Sequence, residues 1–335
     1  MARNLRLVHR KKRARAALVG HDTLLGKELR EVCSELALPM ELVTLAASDE
    51  DTGKITQIGD EAAILGRLDA QTLSEARVVF LAGSPESTRR VVSVNTAAKL
   101  IDLTYATEGI AGAVLRAPVL EDAPGEGNVA MIAHPAAATL ALVLRELHRL
   151  AGLKHAVANV FEPVSERGRA AIDEMQSQVL QMLQFKSPPK EIFDAEVAFN
   201  ILPRYGKDSP FKLEHAEARI VRHLEALLAP SGTPVPSLCL MQAPVFHGHS
   251  FSLWFQLERD LEVTRIEEEV TGTHVHVRPA DVTPPDMFNV ATRMDVTAGA
   301  VRRDPREPHA YWMWIVTDNL RMHAQNAVLV ARESL

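Results

Sequence analysis

The sequence predicts an α/β protein with two domains, a Rossmann-like domain followed by a domain in which helices and strands are mixed. A chain of 335 residues with 47% hydrophobic content is long enough for two hydrophobic cores. Short apolar runs alternate with helical segments up to about residue 133. Beyond about residue 151, longer strand-like runs are separated by polar or proline-bearing segments.

In the first half, apolar runs and helical segments alternate, which is the pattern of a parallel sheet with helices on both faces. The predicted strands are "RAALVG", "MELVTLAAS", "ARVVFLAG", "AAKLIDLT" and "NVAMIA". The predicted helices lie in "LLGKELREVCSELAL", "DAQTLSE" and "ESTRRVVSVNTA". Ligands of such sheets bind at the carboxyl ends of the strands.

The second half predicts a mixed or antiparallel sheet. Its strands are "KHAVANVF", "SLCLMQAPV", "HSFSLWFQL", "HVHVRP" and "YWMWIV". Helices are predicted at about 138–151 and in "RGRAAIDEMQSQVLQML", "EHAEARIVRHLEALLA" and "DNLRMHAQNAVLVARESL". We therefore expect a Rossmann-like domain over 15–133, a second domain over 134–317, and a C-terminal helix over 318–335 that packs back on the first domain.

The first fifteen residues are strongly basic, although the whole chain has a net charge of −6. They contain no acid and the basic residues Arg3, Arg6, Arg10, Lys11, Lys12, Arg13 and Arg15. A basic arm can bind nucleic acid or an anionic membrane, but the rest of the chain is acidic, which argues against a nucleic-acid-binding protein. We expect residues 1–14 to form a disordered leader.

Hydropathy and cysteine usage restrict the class of protein further. No apolar run approaches the roughly 18 residues of a membrane span, and no signal peptide opens the chain, so a cytoplasmic protein without membrane contact is expected. The two cysteines, Cys33 and Cys239, lie in apolar segments without metal-binding spacing. Both are predicted to be buried core residues, and neither a disulfide nor a metal site is expected.

The turn "GHDTLLG", between the first strand and the first helix, is a candidate dinucleotide-binding loop. Gly20 and Gly26 occupy two of the three glycine positions of such a loop, and Thr23 stands where the backbone would approach a pyrophosphate. Two explanations are open: an ordinary glycine-bounded turn, or a degenerate nucleotide loop in which the side chain of Thr23 weakens binding. The strand–turn–helix context favours the second.

The stretch "MIAHPAAATLALVLREL" leads from a strand end into a helix, where free backbone N–H groups favour a reactive side chain or a bound anion. It places only alanines there. Around it, the chain resembles aspartate-semialdehyde dehydrogenases in motifs spread over nearly its whole length: "LVGHDTLLG", "AASDEDTGK", "AHPAAAT", "VSERGRAAIDEM", "AFNILP", "QAPVFHGHS" and "WIVTDNLRMHAQNA".

This resemblance implies a Rossmann-type NADP-binding domain and an α+β dimerisation and catalytic domain. It also implies an enzyme that reduces aspartyl phosphate through a thioester on cysteine. The family's Asn-Pro-Asn-Cys segment reads His134-Pro135-Ala136-Ala137 here, so the nucleophile position is Ala137, and alanine cannot form a thioester. By the same correspondence, Glu162 replaces an orienting glutamine. His249 matches the acid/base histidine, although such a histidine taken alone is more often a core residue.

The substrate-binding positions are also altered in the resemblance. Gln242 stands where the family has the arginine that binds the substrate carboxylate. Glu108 stands at a phosphate-binding arginine and is expected to repel a substrate phosphate. Arg219 either matches a phosphate-binding lysine or is a solvated helix charge.

The cofactor side combines changed and matching positions. Glu50, flanked by Asp49 and Asp51, falls where an arginine binds the 2′-phosphate of NADP, so NADP is disfavoured relative to NAD. Further matches to the family's cofactor side are Ser48, Gly53, Gly83 and Asn319. The resemblance therefore implies NAD or NADP binding that is weakened, with no metal.

The wording "QAPVFHGHS" is close to that of the Usg type, a group of paralogues that lacks the catalytic cysteine. The resemblance thus predicts a non-catalytic homologue with a binding or regulatory role, a homodimer formed through the second domain, and an optional association with a true dehydrogenase subunit. The alternative is an active or repurposed NAD(P)-dependent oxidoreductase of amino-acid biosynthesis, built around His249 and Glu162. Cys33, Cys239 and Ser250 are not expected to replace the nucleophile.

Overall fold

The structure, a computed structural model, describes residues 14–46, 52–58, 61–94 and 96–335. The predictions made for most of the basic leader, and for Ser48, Asp49, Glu50 and Asp51, lie outside the described residues. Ala14, the last residue of the predicted leader, is the first residue of a strand. Within the described chain, two six-stranded sheets and one two-stranded sheet are formed.

The first sheet is parallel throughout and confirms the predicted Rossmann-like architecture. In chain order, its region contains β1 (Ala14–Val19), α1 (Leu24–Glu35), β2 (Met40–Leu45), β3 (Ile55–Ile58), β4 (Glu61–Ile64), α2 (Ala70–Ser74), β5 (Val78–Leu81), α3 (Pro85–Val92), β6 (Lys99–Asp102), β7 (Ala113–Arg116) and β8 (Val129–Ile132). The strand order is β2-β1-β5-β6-β8-β7. Each neighbouring pair is parallel, because helices or loops return the chain to the same edge.

The second sheet is mixed, as the sequence predicts. Its region contains α4 (Pro135–Ala151), β9 (Leu153–Glu162), α5 (Arg169–Leu183), α6 (Leu213–Leu228), β10 (Ser237–Gln242), β11 (His249–Leu257), α7 (Val263–Val270), β12 (Val275–Val277), α8 (Met287–Val290), β13 (Val296–Arg303) and β14 (Ala310–Thr317). The strand order is β10-β9-β11-β14-β13-β12, with parallel pairs at the two edges and antiparallel pairs in between.

Several short elements were not predicted. The antiparallel pair β3–β4 and the strand β7 have four residues each and, unlike the equally short β5, β6 and β8, do not lie in a marked apolar run. The strand β13 contains the small residues of "VTAGAVRR", which lower its strand propensity, and its pairing with β14 is irregular after Gly299. The amphipathic helix α7 was also missed.

The helix α4 joins the two sheets and is buried around most of its circumference. Pro135 occupies its first turn, where a missing N–H costs nothing, and Gly152 ends it with φ +69°. Its apolar side chains belong to the largest hydrophobic core, together with those of α6 and of the strands β9 and β11. The residues at its N-terminus are therefore held by packing on several sides.

The C-terminal helix α9 (Asn319–Glu333) packs against α1 and the first sheet. Two buried arginines fix it: Arg321 binds Glu28 of α1 at 2.6 Å, and Arg116 of β7 binds Glu333 at 2.8 Å. Such buried charges are tolerated because each is paired. In the described part of the chain, no helix is long and apolar enough to cross a membrane, and no cluster of three acidic, histidine or cysteine residues is arranged to hold a metal ion.

Candidate functional site

The turn from β8 into α4 contains the position predicted for the nucleophile. His134 is the N-cap residue, and its Nδ1 accepts a 3.2 Å hydrogen bond from the backbone N–H of Ala136. The side chain of Ala137 is fully buried. A free helix N-terminus binds anions through such N–H groups. Here the N–H group of Ala136 is already hydrogen-bonded to the imidazole of His134.

An aromatic cluster lies beside this turn. The ring of Tyr105 stacks on His134 at 5.7 Å and on His323 at 5.5 Å between ring centroids, and it lies 5.8 Å from the ring of His223. The ring of His249 lies 5.7 Å from that of His134. The cluster joins elements of both sheet regions, because Tyr105 follows β6 and His249 begins β11.

The imidazoles of this cluster are uncharged at neutral pH. Burial lowers the pKa of His249 and of His323 to about 3, and that of His223 to about 4. Burial, followed by the neighbouring imidazoles, lowers the pKa of His134 well below its ordinary value. Desolvation disfavours the imidazolium in each case.

His249 and Glu162 do not form an acid–base pair. Both ring nitrogens of His249 lack a hydrogen-bond partner among the described residues. The Oε1 atom of Glu162 instead accepts a 2.5 Å hydrogen bond from Arg167 and lies 3.4 Å from the hydroxyl of Tyr205. Burial raises the pKa of Glu162, and the charge of Arg167 opposes this effect. Glu162 is therefore bound by Arg167 and not by His249, the residue that the alternative enzymatic function would combine it with.

Gln242 is part of a saturated buried network. Its Oε1 accepts a 2.7 Å hydrogen bond from the hydroxyl of Tyr205. Its Nε2 donates to the backbone carbonyl groups of Glu162 and Ala243 at 2.8 and 2.9 Å. Because both amide hydrogens are used, this side chain has no donor left for a substrate carboxylate.

Glu108 and Arg219, which the sequence assigns to opposite roles, are bound to each other. The Nε atom of Arg219 donates to Oε2 of Glu108 at 3.1 Å, and Arg222 donates to Oε1 from Nη2 at 2.6 Å and from Nε at 3.2 Å. The guanidinium carbon of Arg219 also lies 4.6 Å from the ring centroid of Tyr105. Glu108 is therefore paired with two arginines, and Arg219 is not a solvated helix charge.

Glu166 is a site residue that the sequence did not single out, although it lies within the motif "VSERGRAAIDEM". Its Oε2 is 3.7 Å from Nε2 of His134, and its Oε1 accepts a 2.7 Å hydrogen bond from Asn319. Burial, reinforced by the charge of Glu162, raises its pKa to about 7. Burial thus favours the uncharged form of Glu166. Only its tertiary neighbours distinguish it from other glutamates.

Close backbone packing explains the two glycines in the turn after β1. A Cβ atom on Gly20 would lie 2.3 Å from the backbone of Gly83, and one on Gly26 would lie 2.0 Å from the carbonyl oxygen of Gly20. Thr23 is the N-cap of α1: its hydroxyl accepts a 2.9 Å hydrogen bond from the N–H of Gly26 and lies 2.9 Å from the carbonyl oxygens of Gly20 and Ala82. The N–H of Gly26 is consequently already bound by a protein group.

Of the remaining cofactor-side positions, Asn319 is buried and Gly53 is exposed. Asn319 is fully buried at the start of α9, where its Oδ1 accepts a 2.9 Å hydrogen bond from the N–H of Gly248. Asn319 therefore contacts the backbone just before β11 as well as Glu166. Gly53 has φ +82° and is exposed, with open space where a Cβ would be.

The two cysteines lie in different environments. Cys33 is buried in α1 as predicted, and burial raises its pKa to about 12. The prediction for Cys239 is wrong, because this side chain is exposed. In the edge strand β10, alternation turns Leu240 and Gln242 inward and Cys239 to the outer face. Ser250 is buried next to His249 in β11, where successive side chains point to opposite faces.

The outer face of the second sheet carries all three tryptophans of the chain. Trp254 and Trp312 face each other in the register of β11 and β14, and both donate their indole N–H to Asp304, at 3.1 and 2.8 Å. The ring of Trp314 lies 5.9 Å from that of Phe161. These side chains are only half-buried, and the opposite face of the same strands forms the core.

Comparisons with known proteins match this architecture. Residues 144–322 match the family model described as semialdehyde dehydrogenase, dimerisation domain. A USG-1 protein homolog of Azotobacter vinelandii is 29% identical over 94% of this chain and 96% of its own, and the aspartate-semialdehyde dehydrogenase of Bacillus subtilis is 24% identical over 95% and 96%. A solved structure from Pseudomonas aeruginosa, a probable aspartate-semialdehyde dehydrogenase, superimposes with a TM-score of 0.82 at 24% identity and covers 96% of this chain and 98% of that one.

Proposed function

The chain belongs to the semialdehyde dehydrogenase family, and from this premise we propose that it is a member without aspartate-semialdehyde dehydrogenase activity that acts by binding or regulation. The observation that carries the proposal is the buried methyl group of Ala137 at the N-terminus of α4. A thiolate at this position would be the attacking group, and loss of a nucleophile elsewhere has cost about a million-fold in kcat.

No other thiol of the chain supports a replacement. Cys33 lies in the core that packs between α1 and α9, and its raised pKa keeps it a thiol. Cys239 pairs in register with Asn159 and lies on the outer face of the second sheet. His249 begins β11, which is separated from β10 by β9, so neither thiol of the chain is placed to give it a proton.

The substrate-binding positions also support the proposal. A dicarboxylate or acyl phosphate is usually bound by arginines that are free to form charge-assisted hydrogen bonds. Here Gln242 is used by Tyr205 and by backbone carbonyl groups, and Arg219 is used by Glu108. Both side chains therefore form hydrogen bonds within the protein, at the groups that would otherwise bind a substrate.

Activity is tested in the reverse direction, with semialdehyde, phosphate, and NAD⁺ or NADP⁺, beside the dehydrogenase of Bacillus subtilis as a positive control. We expect no turnover by this chain under conditions in which the control is active. Turnover within about tenfold of the control would contradict the proposal, because the barrier would then be nearly unchanged.

Dinucleotide binding is proposed to be retained but weak. In its support, the close approach of Gly20 to Gly83 keeps the shape of the turn, while the hydroxyl of Thr23 binds the N–H of Gly26. Calorimetric titration with NAD and NADP measures this directly. Substitution Thr23→Gly is expected to tighten binding, whereas unchanged affinity would show that Thr23 does not limit it.

A second candidate function is a repurposed NAD(P)-dependent oxidoreductase. One observation favours it: Glu166 lies 3.7 Å from the imidazole of His134, with a pKa of about 7 that suits proton transfer. A panel of aldehydes and alcohols, assayed with both dinucleotides, tests this candidate. It requires turnover that Glu166→Gln reduces at least about a hundredfold, and a panel without turnover would eliminate it.

A further inference from the structure

A cavity of about 330 Å³ lies between the turn after β7, the middle of α4 and the segment that joins α7 to β12. Its volume is within the range of small-molecule sites. Arg145, which lines it, stands eight positions beyond Ala137 in α4, or about 12 Å along the helix axis. The cavity is therefore separate from the position predicted for the nucleophile.

Arg145 supplies a positive charge to the wall of this cavity. Its Nη1 donates a 2.6 Å hydrogen bond to the backbone carbonyl of Leu120, which fixes the half-buried guanidinium group. Within the described part of the chain, this group forms no ion pair and no second hydrogen bond. Its other N–H groups are therefore available to a carboxylate, which a planar guanidinium binds in a bidentate manner.

Asp122 supplies the opposite charge. The other two carboxylates of the lining are each bound to an arginine. Oε2 of Glu121 accepts a 2.8 Å hydrogen bond from Nε of Arg116, and Oε2 of Glu146 accepts one of 2.8 Å from Nε of Arg149. Asp122 is exposed and forms no hydrogen bond or ion pair with another described residue. Its carboxylate is thus available to an ammonium group.

Aliphatic side chains complete the lining. The buried residues Val119, Leu142, Val270 and Val275 all contribute to it. An aliphatic group of a ligand would be removed from water against this surface. His274 also lines the cavity, and its buried Nδ1 has no hydrogen-bond partner among the described residues. This nitrogen offers one further polar contact.

The two available charges together favour a zwitterion. Arg145 is bonded to Leu120, and Asp122 follows Leu120 by two residues, so both charges border the same part of the cavity without forming an ion pair. A simple anion on Arg145 would be repelled by Asp122, and a simple cation on Asp122 would be repelled by Arg145. A ligand with both charges avoids both penalties.

We propose that this cavity binds a free α-amino acid with an aliphatic side chain, its carboxylate on Arg145, its ammonium group on Asp122 and its side chain against the buried aliphatic wall. Such a ligand contacts both sheet regions, because Asp122 precedes β8 and Val275 begins β12. The proposal goes beyond the proposed function, since the lining contains none of the predicted catalytic, substrate-binding or cofactor-binding positions.

The test is a calorimetric titration of the full-length protein with L-leucine, L-isoleucine, L-valine and L-methionine. We expect at least one of them to bind with a dissociation constant below about 1 mM. The carboxylic acid and the amine that correspond to the best ligand each lack one charged group. Both are expected to bind at least about tenfold more weakly, because one charge-assisted contact is lost.

Arg145→Met and Asp122→Asn are each expected to weaken binding of the best amino acid at least about tenfold. The matched controls Arg169→Met and Glu126→Gln remove exposed charges outside the lining and should leave the affinity unchanged. If Arg145→Met is unfolded by circular dichroism, Thr273→Trp takes its place, since a large ring at this exposed lining residue should block the cavity.

The proposal is overturned if none of the four amino acids binds at concentrations up to about 10 mM. It is also overturned if the acid or the amine binds as tightly as the amino acid, or if the cavity variants keep the affinity of the unmodified protein. An equal loss of affinity in the two controls would have the same meaning. Turnover is not measured, so failure here leaves the proposed absence of dehydrogenase activity untouched.

Discussion

The backbone N–H of His134 donates a 2.9 Å hydrogen bond to Nδ1 of His223, which joins the first residue before α4 to the middle of α6. The contact spans 89 positions of the chain. It connects the turn that holds Ala137 with the helix that binds Glu108. A change at Ala137, the position predicted for the nucleophile, therefore does not act on an isolated turn.

Ala137→Cys is expected not to restore dehydrogenase activity. The new thiol would enter a close-packed turn, and Gln242 and Arg219 would remain bound to Tyr205 and Glu108. We also expect a loss of about 1–2 kcal/mol in the free energy of unfolding from overpacking. The reverse assay with phosphate measures the activity, and denaturant unfolding measures the stability. Robust turnover by this single variant would show that the substrate positions matter less than proposed.

The pH dependence of stability should reflect the buried neutral imidazoles. The pKa of His249 is lowered to about 3 in the folded protein, so the unfolded chain binds a proton first as the pH falls. Stability is therefore complete above the ordinary histidine pKa and is lost as the pH falls below it. His249→Gln should reduce the slope between about pH 6 and about pH 4.5 by about 1.4 kcal/mol per pH unit.

The matched control for this experiment is His215→Gln, which replaces an exposed histidine of α6. Its slope should equal that of the unmodified protein when the free energy of unfolding is measured by urea titration at each pH. An unchanged slope in His249→Gln would mean that the imidazole is solvated in the folded state.

The ion pair of Arg167 with Glu162 is expected to show strong coupling. Arg167→Met leaves the fully buried carboxylate of Glu162 without its cation and should cost about 3–5 kcal/mol of stability. The double variant Glu162→Gln/Arg167→Met removes both charges and should recover at least half of this loss. A double-mutant cycle from urea unfolding measures the coupling. If the effects of the two substitutions on the free energy of unfolding were additive, the two side chains would not be coupled, as expected if water solvates each of them in the folded protein.

The outer face of the second sheet, which carries the three tryptophans, is proposed to be the interface of a homodimer. Placing a charge among its aromatic side chains, as in Trp314→Arg, should raise the dissociation constant of the dimer at least about a hundredfold. Light scattering coupled to size-exclusion chromatography measures the mass over a dilution series. Ile55→Arg, at an exposed residue of β3, is the control and should leave the mass unchanged. A monomeric parent protein, or a dimer that survives Trp314→Arg, would contradict the proposal.

Much of the fold was predictable because strand and helix periods are local properties. The alternation of buried strands with helices predicted the first sheet, and longer strands such as β11, with inward and outward residues alternating, predicted the second. The same periodicity failed for Cys239, because it does not reveal which sheet face is covered. It also failed for β3, β4 and β7, which lie outside the continuous apolar runs that indicated the equally short β5, β6 and β8.

The sequence by itself determined that the motif "AHPAAAT" contains alanines and no cysteine at the position predicted for the nucleophile. Only the tertiary structure decided what the neighbouring charges do. Glu108 and Arg219 lie 111 residues apart, and His134 before α4 and Glu166 after β9 are brought within 3.7 Å of each other. Residue types are written in the chain, but the partner of a charge depends on the path of the backbone between the two residues. That path converted a predicted repulsive carboxylate into the bound partner of two arginines.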